Sequence, residues 1–273
     1  MTLPPLILIH GYPFDHTMWK FVVTALGNKT KVLAPDLPGF GDNPAENAEP
    51  SLDLMADDVA KLFEFHNIPH AVVAGMSMGG YVALAFAERH KQLLAGLGLI
   101  STQSLADTPE TQQARRTMIE KVRHAGTEPA LDAVMPKLFL ESNRDNSELK
   151  QFPIDGARNA GTEGICWALE AMARRPDRTS VLRQLQVPAS VVHGSDDKLV
   201  PSEKAREMSR LIPDSQYVEV PAGHASPLEA PQEVANALLG LLQRSANFHP
   251  PETHKRPADG EPGIIIAPTD RGL

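Results

Sequence analysis

The sequence predicts an α/β fold with a doubly wound, mostly parallel sheet of about six strands. Short, nearly continuous apolar runs rich in β-branched residues recur along the chain, which is typical of strands that helices cover on both faces. Segments with the spacing of amphipathic helices alternate with these runs. The candidate strands are LILI (6–9), VLA (32–34), AVVA (71–74), GLGLI (96–100), ASVVH (189–193) and QYVEV (216–220).

The helix predicted over 51–65 is the clearest of the helical segments. Ser51 suits the N-cap position because its hydroxyl can accept a hydrogen bond from a free N–H of the first turn. Apolar residues follow at positions 52, 55, 59, 62 and 63, which places them on one helical face. The segments 202–212 and 231–242 show the same spacing, so helices are expected there too.

One long interval breaks the alternation and predicts a helical insertion at 102–185, inside a core formed by 1–101 and 186–245. Insertions at the carboxyl ends of parallel strands cover the place where such sheets bind ligands, so we expect a cap or lid. Residues 246–273 are rich in proline and glycine and predict an irregular tail. The helical pieces of the insertion are 109–126, 128–140 and 162–175.

Composition narrows the range of partners. The net charge of −8 and the pI of about 5.7 argue against a nucleic-acid binder, which needs a basic face. The single cysteine, Cys166, cannot form an internal disulfide, and we expect it to be a packed residue of the cap. No apolar run is long enough to span a membrane, and the first residues lack the charged start of a signal peptide, so cytoplasmic residence is expected.

The stretch GMSMG at 75–79 predicts a nucleophile, Ser77. It fits the pattern G-x-S-x-G and lies between a predicted strand and a predicted helix, which is the context that a nucleophile elbow requires. The turn is sharp, and larger side chains two positions either side of the serine would clash, which explains Gly75 and Gly79. The strained turn holds the hydroxyl at the end of the sheet and at a helix N-terminus.

A serine hydroxyl is a weak nucleophile and needs a base, which in turn needs an acid to orient it. On this architecture the partners follow in the order nucleophile, acid, histidine. Asp196 and Asp197 both come directly after the strand ASVVH, and the residues alone leave the choice between them open. His224 comes a few residues after QYVEV, and only His249 and His254 lie later in the chain.

The stretches LILIHGYPFDHTMW, VLAPDLPGFGDN, VVAGMSMGGYVAL, VVHGSDDKLVP and PAGHASPLEAPQEV together carry a resemblance. Over 3–243 the chain resembles α/β-hydrolase fold enzymes, in particular small serine carboxylesterases, enol-lactonases and cofactor-free haloperoxidases or perhydrolases. The family's G-x-x-D-x-x-x-P pattern maps onto Gly194, Asp197 and Pro201, which favours Asp197 as the acid. The family often has strands before the first one predicted here, so the resemblance implies a sheet shortened at its N-terminal side.

The resemblance also implies an oxyanion hole made of two backbone N–H groups, those of Tyr12 and Met78. His10 is predicted to order the first of these loops through hydrogen bonds. The implied reaction is ester hydrolysis through an acyl-enzyme, with Ser77, His224 and Asp197 as the triad. No cofactor and no metal ion is implied.

The substrate is expected to be a small-molecule ester, and the oligomeric state is left open. Apolar residues of the insertion, Met135, Phe139 and Trp167, are candidates for the pocket wall. Enol-lactonase or perhydrolase activity on the same triad is the alternative, and a non-catalytic ligand-binding protein of this fold would be expected to have a damaged triad. An enol-lactonase acting on a dicarboxylate would need a cation near the pocket. Candidates for this cation are Arg158, Arg174 and Arg175.

Overall fold

One sheet of six parallel strands organises the described part of the chain, which in this computed structural model comprises residues 2–45 and 48–246. The strand order is β2-β1-β3-β4-β5-β6, and every neighbouring pair is parallel. The predicted fold class and strand number are therefore confirmed. The strands are β1 (Leu6–Ile9), β2 (Val32–Leu33), β3 (Ala71–Met76), β4 (Leu94–Ile100), β5 (Ala189–Gly194) and β6 (Ser215–Val220).

Helices cover both faces of the sheet. The α-helices are α1 (Lys20–Leu26), α2 (Leu52–Phe65), α3 (Met78–Arg89), α4 (Pro109–Ala125), α5 (Glu128–Leu138), α6 (Ser147–Ala173), α7 (Thr179–Gln184), α8 (Ser202–Leu211), α9 (Ser226–Glu229) and α10 (Pro231–Ser245). The N-cap predicted at Ser51 is confirmed, because its hydroxyl accepts a hydrogen bond from the N–H of Asp53.

Two hydrophobic clusters form the core, one on each face of the sheet. Successive side chains of a strand point to opposite faces, so Ile7 and Ile9 join the cluster under α2, α3 and α8, while Leu6 and Leu8 join the cluster under α1 and α10. Strands β1, β3, β4 and β5 are buried along their whole length. Their continuous apolar sequence follows from this double coverage.

The interval between β4 and β5 is helical, as its sequence predicts, and holds α4 to α7. Helix α6 runs much further than the predicted piece 162–175, from Ser147 to Ala173, with a kink at Gly161, where φ is 61°. The division into a core and a cap stays a prediction. Of the predicted tail, all but Ala246 lies outside the described residues. None of the helices in the described ranges has the length and apolar composition needed to cross a bilayer.

Candidate active site

The turn between β3 and α3 holds Ser77 in a conformation that few side chains adopt. Its φ is 54° and its ψ is −114°, a strained combination for a residue with a Cβ. The backbone around it is fixed from both sides. The N–H of Ser77 donates to the carbonyl oxygen of Ile100 at 2.9 Å, and its own carbonyl oxygen accepts from Thr102 Oγ1 at 2.8 Å and from the N–H of Gly80 at 2.9 Å.

Close packing explains the two glycines that flank this turn. A Cβ on Gly75 would collide with the carbonyl group of Gly79 across the turn. A Cβ on Gly79 would collide with the carbonyl oxygen of Ile9, at the end of β1, and would lie 2.5 Å from that of His10. The clash expected from the sequence therefore exists, and it involves β1 as well as the turn itself.

A chain of hydrogen bonds joins the predicted nucleophile, histidine and acid. His224 Nε2 lies 2.9 Å from Ser77 Oγ, and His224 Nδ1 lies 2.8 Å from Asp197 Oδ2. A carboxylate only accepts hydrogen bonds, so Nδ1 carries the proton and Nε2 is free to accept from the serine hydroxyl. This is the arrangement in which an imidazole can take a proton from a serine.

The two adjacent aspartates have different surroundings. The Asp197 side chain is fully buried, and its Oδ1 accepts from the N–H groups of Leu199 at 2.8 Å and Val200 at 3.0 Å. Burial by itself raises the pKa of Asp197, but the charge and hydrogen bond of His224 and these two N–H donors outweigh it, so the pKa lies below its ordinary value. Asp196 is 45% exposed and forms an ion pair with Lys198.

The loops after β5 and β6 are tied together, which brings the acid and the histidine within reach of each other. The N–H of Ser195 donates to the carbonyl oxygen of Val220 at 2.9 Å, and the N–H of Asp196 donates to that of Ala222 at 3.0 Å. A Cβ on Gly194 would collide with the carbonyl oxygen of Gly223. The absence of a side chain at Gly194 therefore allows the two loops to approach closely, beyond the carboxyl ends of neighbouring strands.

The two backbone N–H groups expected to bind an oxyanion both lie beside Ser77. Met78 is the first residue of α3, where an N–H has no partner within the helix. Tyr12 follows Gly11, on which a Cβ would lie 3.3 Å from the Cβ of Ser77. Within the described ranges, neither N–H donates a hydrogen bond to a protein acceptor. Both are free to donate to a ligand bound at the serine.

His10 hydrogen-bonds the loop that carries Tyr12, as expected. Its Nδ1 lies 3.0 Å from the carbonyl oxygen of Gly11, and its Nε2 accepts from the N–H of Leu37 at 3.0 Å. Burial lowers the pKa of His10, which keeps the ring neutral and its Nε2 able to accept. The ring therefore connects the loop after β1 with the loop after β2.

Glu229 is a further residue of this site that the sequence analysis did not identify. Its Oε2 accepts from the N–H of Gly223, directly before His224, at 2.7 Å. Its Oε1 accepts from the N–H of Leu140 at 2.8 Å and from Asn143 Nδ2 at 2.7 Å, both in the segment that follows α5. One carboxylate thus connects the histidine loop to the insertion. Its place in the sequence, five positions after His224, is the only local signal for it.

We predict that Glu229→Ala lowers kcat about 10- to 100-fold on a p-nitrophenyl ester, with little change in KM, because a displaced His224 loop impairs proton transfer more than binding. It should also lower Tm by about 5 °C, since three partly buried donors lose their acceptor. Glu229→Gln keeps a carbonyl acceptor and should recover part of both losses. Glu233→Gln, an exposed position on α10, is the matched control. A lower Tm with an unchanged kcat would mean that Glu229 stabilises the fold but does not position His224.

The predicted pocket residues fall into two groups. Phe139 is buried and Met135 half-buried, and both pack with the cluster that includes Phe14 and Met18. Trp167 belongs to the other cluster and donates through Nε1 to the carbonyl oxygen of Ala48 at 3.4 Å. The structure does not bring the three into one cluster, and their contact with a substrate stays a prediction.

The candidate cations also differ in their surroundings. Arg158 is 69% exposed and pairs with Asp155 in the same helix. Arg174, directly after helix α6, is 45% exposed and pairs with Glu170 of that helix. The side chain of Arg175 is only 2% exposed. Of the three, Arg175 alone is a buried charge.

One group of metal-ligating residue types stands out in the described ranges, formed by Asp15, His16 and Asp36. Its members already have protein partners. Asp15 Oδ1 caps the first turn that follows it by accepting from the N–H of Thr17 at 3.0 Å, and Asp36 binds His16 Nδ1 at 2.8 Å. The Asp36 hydrogen bond raises the pKa of His16, as expected for an ion pair. These contacts account for the group without a metal ion.

A parallel sheet with a hydrogen-bonded serine, histidine and aspartate at its carboxyl edge is the arrangement of α/β hydrolases. The sequence pattern of the alpha/beta hydrolase family matches residues 6–237, and the chain belongs to this family. Its structure is similar to that of a thermophilic esterase from Thermogutta terrifontis with malate bound, at 37% identity and a TM-score of 0.85, over 89% of this chain and 91% of that one. It is also similar to the enol-lactonase from Burkholderia xenovorans LB400, at 26% identity and a TM-score of 0.81, over 89% and 92% of the two chains.

Some relatives are longer than this chain. It is 30% identical over 249 residues to the dihydrolipoyllysine-residue acetyltransferase component of the acetoin cleaving system of Pseudomonas putida, covering 88% of this chain and 64% of that protein. For a second curated relative at 30% identity, the chain spans 45% of its length. The chain therefore corresponds to part of these relatives, and their activities as whole proteins do not transfer to it directly.

Proposed function

We propose that this chain is a serine hydrolase that cleaves small carboxylic esters through an acyl-enzyme intermediate, with Ser77, His224 and Asp197 as its catalytic triad. The observation that carries the proposal is the continuous hydrogen-bond chain, at 2.9 Å from Ser77 Oγ to His224 Nε2 and 2.8 Å from His224 Nδ1 to Asp197. The similarity to an esterase at 37% identity supports it. A cytoplasmic location is part of the same proposal.

The reaction would run in two halves. Ser77 Oγ attacks the carbonyl carbon while its proton passes to His224 Nε2, and the resulting oxyanion accepts hydrogen bonds from the N–H groups of Tyr12 and Met78. His224 returns the proton to the leaving alcohol as the C–O bond breaks, which leaves an acyl-serine. Water then attacks this ester with His224 again as base, and the acid is released. Asp197 holds the imidazole in one tautomer and stabilises its protonated form.

Two alternatives use the same groups. An enol-lactonase would open a cyclic ester by the same steps, and the similarity to the Burkholderia enzyme at 26% identity supports this reading. A perhydrolase would use hydrogen peroxide in place of water in the second half. A non-catalytic binding protein of the same fold has less support, since it would have no need of the hydrogen bonds that join the three side chains.

The test is the initial rate of hydrolysis on p-nitrophenyl esters of increasing acyl length, together with labelling by a fluorophosphonate. Short esters should turn over, and one phosphonyl group should attach to the peptide that contains Ser77. Absence of both turnover and labelling would overturn the proposal. Turnover of lactones, or peroxide-dependent acyl transfer, at rates well above those of the simple esters would replace it by the corresponding alternative.

A further inference from the structure

A largely buried cluster of charged side chains, Asp107, Arg115 and Arg175, lies in the insertion and contacts Tyr81 of helix α3. The carboxylate of Asp107 binds two guanidinium groups, Arg115 through Nε at 2.6 Å and Arg175 through Nη1 at 2.7 Å. The side chains of Asp107 and Arg175 are 3% and 2% exposed, and that of Arg115 is 20% exposed. Arg175 is fixed further, through Nε to the carbonyl oxygen of Leu105 and through Nη1 to that of Met172, both at 3.0 Å.

The charges of this cluster do not balance. Two guanidinium groups share one carboxylate, which leaves one positive charge in excess. Nη2 of Arg175 is buried and has no hydrogen-bond partner in the described ranges, and Arg115 engages only its Nε there. A buried cationic donor without an acceptor is unfavourable, and an acceptor bound from outside the chain would satisfy it.

The cluster contacts helix α3, which begins directly after the proposed nucleophile. The guanidinium carbon of Arg175 is 4.1 Å from the centroid of the Tyr81 ring, and the N–H of Tyr81 donates to the carbonyl oxygen of Ser77 at 3.3 Å. Tyr12, beside the same serine, carries a hydroxyl that is also buried without a partner. Burial raises the pKa of Tyr12, and the nearby charge of Arg115 acts in the opposite direction, so the hydroxyl stays protonated and able to donate.

We propose that Arg115, Arg175 and the Tyr12 hydroxyl form a subsite for a carboxylate, so that the substrate is an ester or lactone carrying a free carboxylate group. This inference rests on the proposed hydrolysis at Ser77. All three side chains offer donors, and a carboxylate is an acceptor with no proton to give. Guanidinium groups bind carboxylates through charge-assisted hydrogen bonds, whereas a neutral substrate would leave Nη2 of Arg175 unpaired and would be disfavoured.

Two pairs of substrates distinguish which side of the ester carries the charge. For the acyl side, mono-p-nitrophenyl glutarate is compared with p-nitrophenyl pentanoate, which has the same chain length without the carboxylate. For the alcohol side, 4-acetoxybenzoate is compared with its methyl ester. The native protein should favour the charged member of one pair, by at least about tenfold in kcat/KM.

Arg115→Gln should reduce that preference about tenfold or more, because it removes the excess charge at a side chain that is partly exposed, so that the fold is retained. Arg175→Lys keeps the charge and removes the free Nη2 donor, and should reduce the preference as well. Arg116→Gln is the matched control, since it removes the same charge from the next, exposed position of α4. Its preference should equal that of the native protein.

The subsite is overturned if the native protein favours the charged member of neither pair, or if Arg115→Gln loses no more preference than Arg116→Gln. Hydrolysis of the neutral esters that depends on Ser77 would in that case leave the proposed function intact. If no ester turns over at all, calorimetric titration with glutarate tests the subsite alone. Weaker binding of glutarate to Arg115→Gln than to the native protein supports the subsite, and equal binding overturns it.

Discussion

Ser77→Ala is expected to lower kcat on p-nitrophenyl butyrate by about 10,000-fold or more, to a level set by substrate binding and the oxyanion donors alone. The hydroxyl that lies 2.9 Å from His224 Nε2 is the nucleophile of the proposed reaction, and alanine removes it. The fold should persist, because alanine has the same Cβ in the strained turn and the hydrogen bonds that fix this turn are made by the backbone of residue 77. Steady-state rates and Tm, measured on the same preparations, check both expectations.

Ser101→Ala provides a demanding control. Ser101 follows β4 as Ser77 follows β3, and it also has a positive φ, of 47°. Its Oγ lies 3.3 Å from Ser226 Oγ, and no histidine nitrogen is hydrogen-bonded to it in the described ranges. The control should keep kcat within about threefold of the native value, since a surplus hydroxyl without a base is not activated. Equal losses in both variants would contradict the assignment of Ser77 and point to a disturbed sheet edge.

The fold and the nucleophile could be predicted because their signals are local. Each buried strand is a short apolar run, and the glycines around Ser77 are required by contacts that any sharp strand-to-helix turn makes. Gly79 shows the limit of such local signals. The motif predicts a glycine at this position, but the group with which a Cβ there would collide, the carbonyl oxygen of Ile9, belongs to a strand far away in the sequence.

What could not be predicted depends on tertiary contacts. Glu229 has no motif of its own, and its role as acceptor for Gly223, Leu140 and Asn143 requires knowledge of how the insertion meets the histidine loop. Helix α6 begins at Ser147 although Pro153 and the kink at Gly161 weaken its pattern, because packing decides where apolar periodicity is poor.

The acid of the site could be predicted from the sequence only in part. Asp196 and Asp197 are neighbours after the same strand, so spacing alone cannot separate them. Only the loop conformation turns one toward the histidine and the other toward solvent. The resemblance to the family favours Asp197, and the hydrogen bond of 2.8 Å to His224 Nδ1 agrees with that choice.

Asp197→Asn is therefore expected to lower kcat about 1,000- to 10,000-fold, while Asp196→Asn should leave it within about twofold. An asparagine whose amide nitrogen faces Nδ1 donates to it and favours the tautomer with the proton on Nε2, which can no longer accept from Ser77. The asparagine oxygen can still accept from Leu199 and Val200, so the loop should hold. The two substitutions remove the same charge at adjacent positions. A difference in kcat between them therefore identifies which aspartate acts on His224.

Protonation of the native carboxylate cannot imitate this substitution at ordinary pH. The pKa of Asp197 lies below its ordinary value, so the group is ionised at neutral pH; its contribution to stability is fully present above the ordinary pKa of an aspartate and is lost as the pH falls through the lowered pKa. A loss of activity in Asp197→Asn at neutral pH therefore reflects the loss of the carboxylate that orients and stabilises His224, and not incomplete ionisation of the native group. If Asp196→Asn were the impaired variant instead, the loop would have to turn in solution so that Asp196 replaces Asp197 at Nδ1, and the proposed triad would be wrong in its acid.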